Sequence, residues 1–467
     1  MGKVSGISIA FVIAVAMAIV AIAVVLTAPL LAEKLGIPVG GDYYGYSGVF
    51  GRQSDFPAVR DSSLKVEQVV VDNGFAFPTS MAFVDTSNLL VLEKDTGNVR
   101  LVTGGKLAKD PVLTLKPLTS FVEQGLLGIA VGRGGGGEDH KGEEDVFLYI
   151  TEKDLFGEAK NRVYRYDWQD GKLQNPVKIL ELPATPGPNH NGGKMIVGPD
   201  GYLYVVIGDL NRNGMLQNYR DGPAPDNTSV IIKVDRDGRP AAKVLSGGKG
   251  EGGGSGGSAE TTDYYYAYGI RNSFGLAFDP LTGTLWDTEN GKDSYDEVNV
   301  VKPGFNSGWG KVMGPISRAA EAAKAGSGGE GEAAAAAAEA ALRQSLTMLD
   351  GAHYADPVFS WKHSIGVTDI EFIKSDKLGK KYEGNILVGD INNGHLYFLT
   401  VNGKRDGIDP GSSSSPLRDS VAEDGREAYE VFLGSGFGGI TDIETGPDGY
   451  PYVLSFSGSL YRLVPAR

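Results

Sequence analysis

Cysteine is absent from all 467 residues. That removes disulfides, thiolate metal clusters, thioether-linked haem and thiol catalysis at once. Whatever compartment the chain occupies, its fold holds without covalent staples. Histidine is scarce, at 5 residues, so one set among turn residues stands out as a candidate acid–base group. Cations are in the minority: 44 Lys and Arg face 58 Asp and Glu, a net charge of -14. A broad nucleic-acid surface is excluded on that balance, and no nucleic-acid partner is expected. Hydrophobic residues, at 41%, reach the level of an ordinary folded chain, which excludes disorder throughout.

Long apolar runs are missing too, with one exception. From Ser5 to Ala32 no residue is charged, and residues 7–26 are almost entirely Ile, Val, Ala and similar side chains. A run of about 20 apolar residues matches the hydrocarbon core of a bilayer. Lys3 precedes it, which orients the N-terminus inward and the rest outward. Leu30-Leu31-Ala32 is a poor cleavage site. The expectation is one N-terminal transmembrane helix within 1–34, a linker over 35–64, and a membrane-anchored, extracytoplasmic domain over 65–467. If the segment were cleaved, the domain would be secreted.

In that domain a pattern recurs six times, at 78–102, 125–166, 193–234, 275–300, 367–399 and 440–463. Each copy has three short runs rich in β-branched and aromatic residues, punctuated by turns such as Pro199-Asp200-Gly201 and Pro447-Asp448-Gly449. One such sheet alone cannot bury both faces, whereas radial stacking of copies buries them all. An all-β, six-bladed β-propeller is therefore expected. The early strand at 66–71 is free to pair with the last copy and close the ring. Insertions interrupt the pattern at about 133–145, 245–260 and 315–350. The last is rich in Ala and Glu and is expected to be helical, broken at Gly326, Gly328 and Gly329.

In a propeller the residues just ahead of each innermost strand converge on the axis. Here those positions hold Thr79, Glu123, His190, Arg271, Thr368 and Thr441. A His, an Arg and a Glu at one hole would be costly filler, and convergent titratable groups in a concavity mark a candidate active site. His190 is the candidate general base. Asp209, at the far end of the adjacent strand, returns to the same rim and can orient the imidazole. Residues 209–214 also mimic the opening of a calcium-binding loop. The twelfth position is Arg220 where a bidentate Glu belongs, so that match fails.

Several segments together resemble the glucose/sorbosone dehydrogenases. They are His190-Asn191-Gly192-Gly193, Gly198-Pro199-Asp200-Gly201 and Ile207-Gly208-Asp209, with 123–128, 269–278, Asp296-Glu297-Val298-Asn299 and 304–309. The likeness runs from about 77 to 463. It implies a six-bladed propeller that oxidises an aldose sugar with pyrroloquinoline quinone and passes electrons to an acceptor the sequence does not identify. His190 would take the anomeric hydroxyl proton while hydride moves to the quinone, and Asp209 would hold His190. Arg271 would bind the quinone oxygens and Asn272 would add a cofactor contact, with Glu123, Thr368 and Thr441 as further cofactor-binding residues at the axial positions. Calcium would lie against the backbone carbonyls of Gly291 and Lys292.

This chain also departs from the family pattern. Residues 390–394 lack the family's Lys, Gly439-Ile440-Thr441 lacks two Arg, and Glu123 and Phe274 replace Gln. Arg212, Lys362 and His363 are the candidates to substitute for the missing cations. Two alternatives stay open. One is a propeller that has lost the cofactor and binds a ligand or protein. The other is a calcium-dependent lactonase-like hydrolase, which would need several axial carboxylates, of which Glu123 is one.

Overall fold

The computed structural model describes residues 56–70, 74–119, 123–133, 144–215, 218–245 and 259–466, within one compact unit, Gln53–Arg467. The apolar run at 7–26 and most of the insertions at 133–145 and 245–260 lie outside the described residues. Among the described residues no helix is long and apolar enough to cross a membrane.

The strands gather into six sheets. Each begins with an inner strand: Pro78–Phe83, Leu126–Arg133, Met195–Val197, Gly275–Phe278, Val367–Phe372 and Ile440–Thr445. These touch one another in cyclic order, the last returning to the first. The sheets therefore radiate from one axis as the blades of a β-propeller, numbered 1 to 6 in that order. In blade 3, Leu203–Ile207 lies between Met195–Val197 and Val230–Val234. All five of its residues are buried, as a short unbroken apolar run demands.

The apolar side chains meet between blades. Leu90, Leu92 and Val99 of blade 1 pack on Leu126, Ile129 and Leu148 of blade 2. Ile443, Val453 and Leu463 of blade 6 pack on Leu387 and Leu396 of blade 5. Each such side chain contributes about 1.5–3 kcal/mol by leaving water, which no blade could collect alone. A Cβ at Gly128 would stand 1.8 Å from the Gly193 carbonyl oxygen, so blades 2 and 3 close up only around glycine.

Ring closure follows the expected route. Leu64–Val70 runs antiparallel to Leu460–Pro465, with Glu67 opposite Arg462. Ala58–Val59 likewise extends blade 5 beside Phe432–Ser435, an addition too short to show in the sequence pattern. The third insertion forms two helices, Ile316–Ser327 and Gly331–Ser345. The break falls at Gly328, whose φ of 71° caps the first helix. Gly326, expected to break it, lies inside it instead. One interior glycine costs about 1 kcal/mol against alanine, and the packing of Ile316 on Val312 and Leu346 holds the helix regardless.

Lys194, at the foot of blade 3's inner strand, reaches across the axis. Its Nζ lies 2.8 Å from Asp369 Oδ1 of blade 5 and 2.7 Å from Asp442 Oδ1 of blade 6. Ser80 of blade 1 donates to Asp442 Oδ2 at 2.9 Å, so four blades meet in one buried cluster. Burial opposes the ammonium charge, but the two carboxylates outweigh it and hold the lysine pKa above its usual value.

Candidate active site

Residues ahead of the inner strands and residues after the second strands emerge on the same rim. His190 precedes blade 3's inner strand and Asp209 follows its second, so antiparallel pairing brings them together. His190 Nδ1 lies 2.5 Å from Asp209 Oδ1, and the two residues are 8% and 1% exposed. The approach is tight: a Cβ on Gly208 would meet the carbonyl oxygens of His190 and Arg271, each at 2.6 Å. His190 sits at φ 61°, a left-handed conformation that surrounding structure must hold in place. Asn191 supplies that hold. Its side-chain oxygen accepts from Asn161 Nδ2 at 3.0 Å, and its carbonyl accepts from the Tyr149 hydroxyl at 2.9 Å.

The second oxygen of Asp209 accepts from Trp309 Nε1 at 2.6 Å and from the Gly214 N–H at 3.2 Å. Burial alone would raise the Asp209 pKa, but the bonds from His190 and Trp309 win and hold it below the usual carboxylate range. Asp209 is therefore the ionised partner that orients the imidazole. Trp309 received no role from the axial-position argument. Its only signal was membership of the matching segment 304–309.

Arg271 joins this pair from blade 4. Its N–H donates to Glu289 Oε1 at 2.6 Å, its Nη1 donates to the Asn290 carbonyl at 2.9 Å, and its guanidinium lies 5.2 Å from the Trp309 ring centroid. Burial lowers the Arg271 pKa against the pull of Asp209 and Glu289. Burial likewise raises Glu289, although Ser307 donates to it at 2.5 Å. Arg271 Nε and Asn272 Oδ1 are buried with no hydrogen-bond partner. Glu123 completes the group, accepting from the Asn191 N–H at 3.1 Å and from Asn272 Nδ2 at 3.2 and 3.3 Å. Burial raises its carboxyl pKa against the influence of His190.

The remaining positions are engaged elsewhere. Thr79 and Thr368 donate to the carbonyls of Leu126 and Ile440, at 2.9 and 2.8 Å, pinning each blade to the next. Thr441 donates to the Leu454 carbonyl at 3.4 Å. Arg212 is paired with Asp226, and Lys362 with Glu423. The Gly291 N–H donates to Asp296 Oδ1 at 2.9 Å, while Asp296 Oδ2 gathers the N–H groups of Ile365, Gly366 and Val367. Among the described residues no group of three or more His, Cys, Asp or Glu is arranged to hold a metal.

Asp390, which opens the segment 390–394 that lacks the family's Lys, accepts from the Asn393 N–H at 2.6 Å and the Tyr397 hydroxyl at 3.1 Å. Burial outweighs these bonds and pushes its pKa from 3.8 up to about 7. Between those values the native state holds a proton the unfolded chain releases, so stability falls as pH rises through that window. Asp390→Asn is expected to flatten this loss, by at most about 3 kcal/mol between about pH 5 and pH 8, in urea unfolding compared at those two values.

Residues 75–462 match the family described as Glucose / Sorbosone dehydrogenase. The chain belongs to this family. Aldose sugar dehydrogenase YliI of Escherichia coli (strain K12) is 24% identical over 417 residues, covering 85% of this chain and 92% of that one. Among solved structures, the putative oxidoreductase (glucose dehydrogenase) of Thermus thermophilus aligns at 25% identity and TM-score 0.60, over 86% of this chain and 100% of its own. The PQQ-bound form of aldose sugar dehydrogenase from Streptomyces coelicolor shares the propeller at 22% identity and TM-score 0.56, over 86% of this chain and 99% of its own.

Proposed function

We propose that this member of the glucose/sorbosone dehydrogenase family is an aldose sugar dehydrogenase that uses pyrroloquinoline quinone. In this reading the N-terminal apolar run anchors it and its propeller works outside the cytoplasm. The observation that carries the reading is the His190–Asp209 pair, 2.5 Å apart, on one rim with Arg271 and Asn272. The relative YliI is named for this activity, and the Streptomyces neighbour is a PQQ-bound form.

On blade 4 Arg271 fits the carbonyl edge of such a quinone, because its Nε is a buried donor lacking a partner, while the unpartnered Asn272 Oδ1 is an acceptor and suits an N–H of the ligand. On blades 5 and 6, Asp390, Gly439 and Thr441 offer no cation to its carboxylates, and the axial Lys194 already serves two aspartates. Arg271 and Asn272 would therefore hold the cofactor, with Glu123 behind Asn272 and calcium on the Gly291 and Lys292 carbonyls. Bound there, the quinone supplies the carbon that accepts hydride.

The chain's own groups do the rest. Asp209 engages His190 Nδ1, leaving Nε2 to take the anomeric hydroxyl proton, and it stabilises the imidazolium that results. Arg271 stands where negative charge grows. The poverty of cations on blades 5 and 6 favours a second reading, a propeller that binds a ligand without redox chemistry.

Titrating the detergent-solubilised full chain with pyrroloquinoline quinone, with and without calcium, separates the two. Tight, calcium-dependent binding is the expected result. No binding at high micromolar quinone would leave the binding propeller standing.

A further inference from the structure

We propose that the cleft between blades 1 and 6 is a second saccharide-binding site. It would receive the outer units of an oligosaccharide whose reducing end lies at His190. The inference rests on the sugar dehydrogenase reading and extends it by assigning its substrate a preferred length above one unit.

The cleft has a volume of about 750 Å³ and opens beside Phe77, just ahead of blade 1's inner strand, and Phe456, just past blade 6's second strand. Both positions lie on the rim that carries His190. Phe77 is 52% exposed and sits at φ 50°, an outlier conformation for a bulky aromatic residue. Its ring centroid lies 5.4 Å from that of Phe456, with the planes tilted by 45°. Together with Phe75 the two rings form an aromatic wall, while Ser457, Glu93 and Arg100 form a polar one. Glu93 is saturated by the Ala76 N–H, Thr96, Asn98 and Arg100, whereas Arg100 Nε is buried with no partner.

The exposed, strained Phe77 and the half-buried Phe456, in a cleft that Ser457 and Arg100 also line, suit a ring with one C–H face and several hydroxyls. A pyranose has that character. A purely apolar guest would leave the polar wall unmatched.

The cleft is also tied to the catalytic rim through the backbone. The Phe77 carbonyl accepts from the Lys94 N–H at 3.1 Å, the Lys94 carbonyl accepts from Leu126 N–H at 2.9 Å, and Lys94 Nζ donates to the Gln124 carbonyl at 3.3 Å. Gln124 adjoins Glu123, which holds Asn191 beside His190.

The test is binding of malto- and cello-oligosaccharides of one to five units to the full-chain protein, followed by saturation-transfer NMR, with turnover measured in parallel. Affinity should rise with length. Phe77→Ala and Phe456→Ala should each lower pentasaccharide affinity about tenfold toward the monosaccharide value, leaving monosaccharide binding and oxidation unchanged. Phe77→Trp should keep the length dependence, which separates loss of the ring from misfolding. Affinity independent of length, or indifferent to both alanine variants, overturns the proposal. Length-dependent binding by a protein that oxidises no sugar keeps the cleft and overturns the dehydrogenase reading. Oxidation without length dependence does the reverse.

Discussion

Replacing His190 with alanine or glutamine is expected to lower sugar oxidation by about 10²–10⁴-fold, the usual worth of a positioned general base. The two variants separate chemistry from architecture. Alanine strips Asp209 of its 2.5 Å partner and leaves the carboxylate to Trp309 and two backbone N–H groups. Losing one hydrogen bond to a charged group costs about 1.5–3 kcal/mol of stability. Glutamine restores a donor toward Asp209 but cannot take up a proton at neutral pH. Both variants should therefore lose turnover, while glutamine keeps more of the wild-type melting temperature. Steady-state rates with an artificial electron acceptor, set beside thermal unfolding of each variant, decide the matter. Turnover that survives either change means another group is the base.

Lys194→Met should be the most destabilising of the substitutions considered, by about 3–5 kcal/mol at neutral pH, since it strands two buried carboxylates without their cation. Asp369 and Asp442 would then face each other on the axis, with Ser80 and the Met81 and Ile443 N–H groups as the remaining donors. The deficit has a pH signature. Stranded carboxylates take up protons more readily than in the unfolded chain, so the native state of the variant gains relative stability as pH falls. Urea unfolding of wild type and variant at about pH 5 and pH 8 should show the larger gap at pH 8. Converting Asp369 and Asp442 to Asn in the Lys194→Met background should recover much of the loss. A gap that does not change with pH would mean the carboxylates are not the cause.

Much of this architecture was visible in residue patterns. Runs such as Leu203–Ile207 and Val230–Val234 are β-branched, short and bounded by turns, and they are buried as that pattern requires. The rim group was legible for a related reason. Once the inner strands are assigned, Glu123, His190 and Arg271 must converge, and Asp209 must return to His190 by antiparallel pairing. What stayed hidden depends on side-chain reach. Trp309 comes to Asp209 from a segment 100 residues away, and no periodicity marks it. Lys194 looks like an ordinary lysine at the start of a strand until blades 5 and 6 bring their aspartates opposite it. Of the three glycines expected to break the insertion, Gly328 makes the turn, in the left-handed conformation of a helix cap, which composition alone does not single out.

The strand that closes the ring also sets the order of assembly. Leu64 and its partner Pro465 are roughly 400 positions apart in the chain. Blade 6 cannot be finished until the last strand has left the ribosome, and until then Leu64–Val70 waits with its edge unpaired. Loop closure at this length costs little equilibrium stability, because each doubling adds only about 0.6 kcal/mol. It costs time instead, since distant pairings are slow to find. The waiting edge is thus the stage at which nascent chains are most open to pairing with one another.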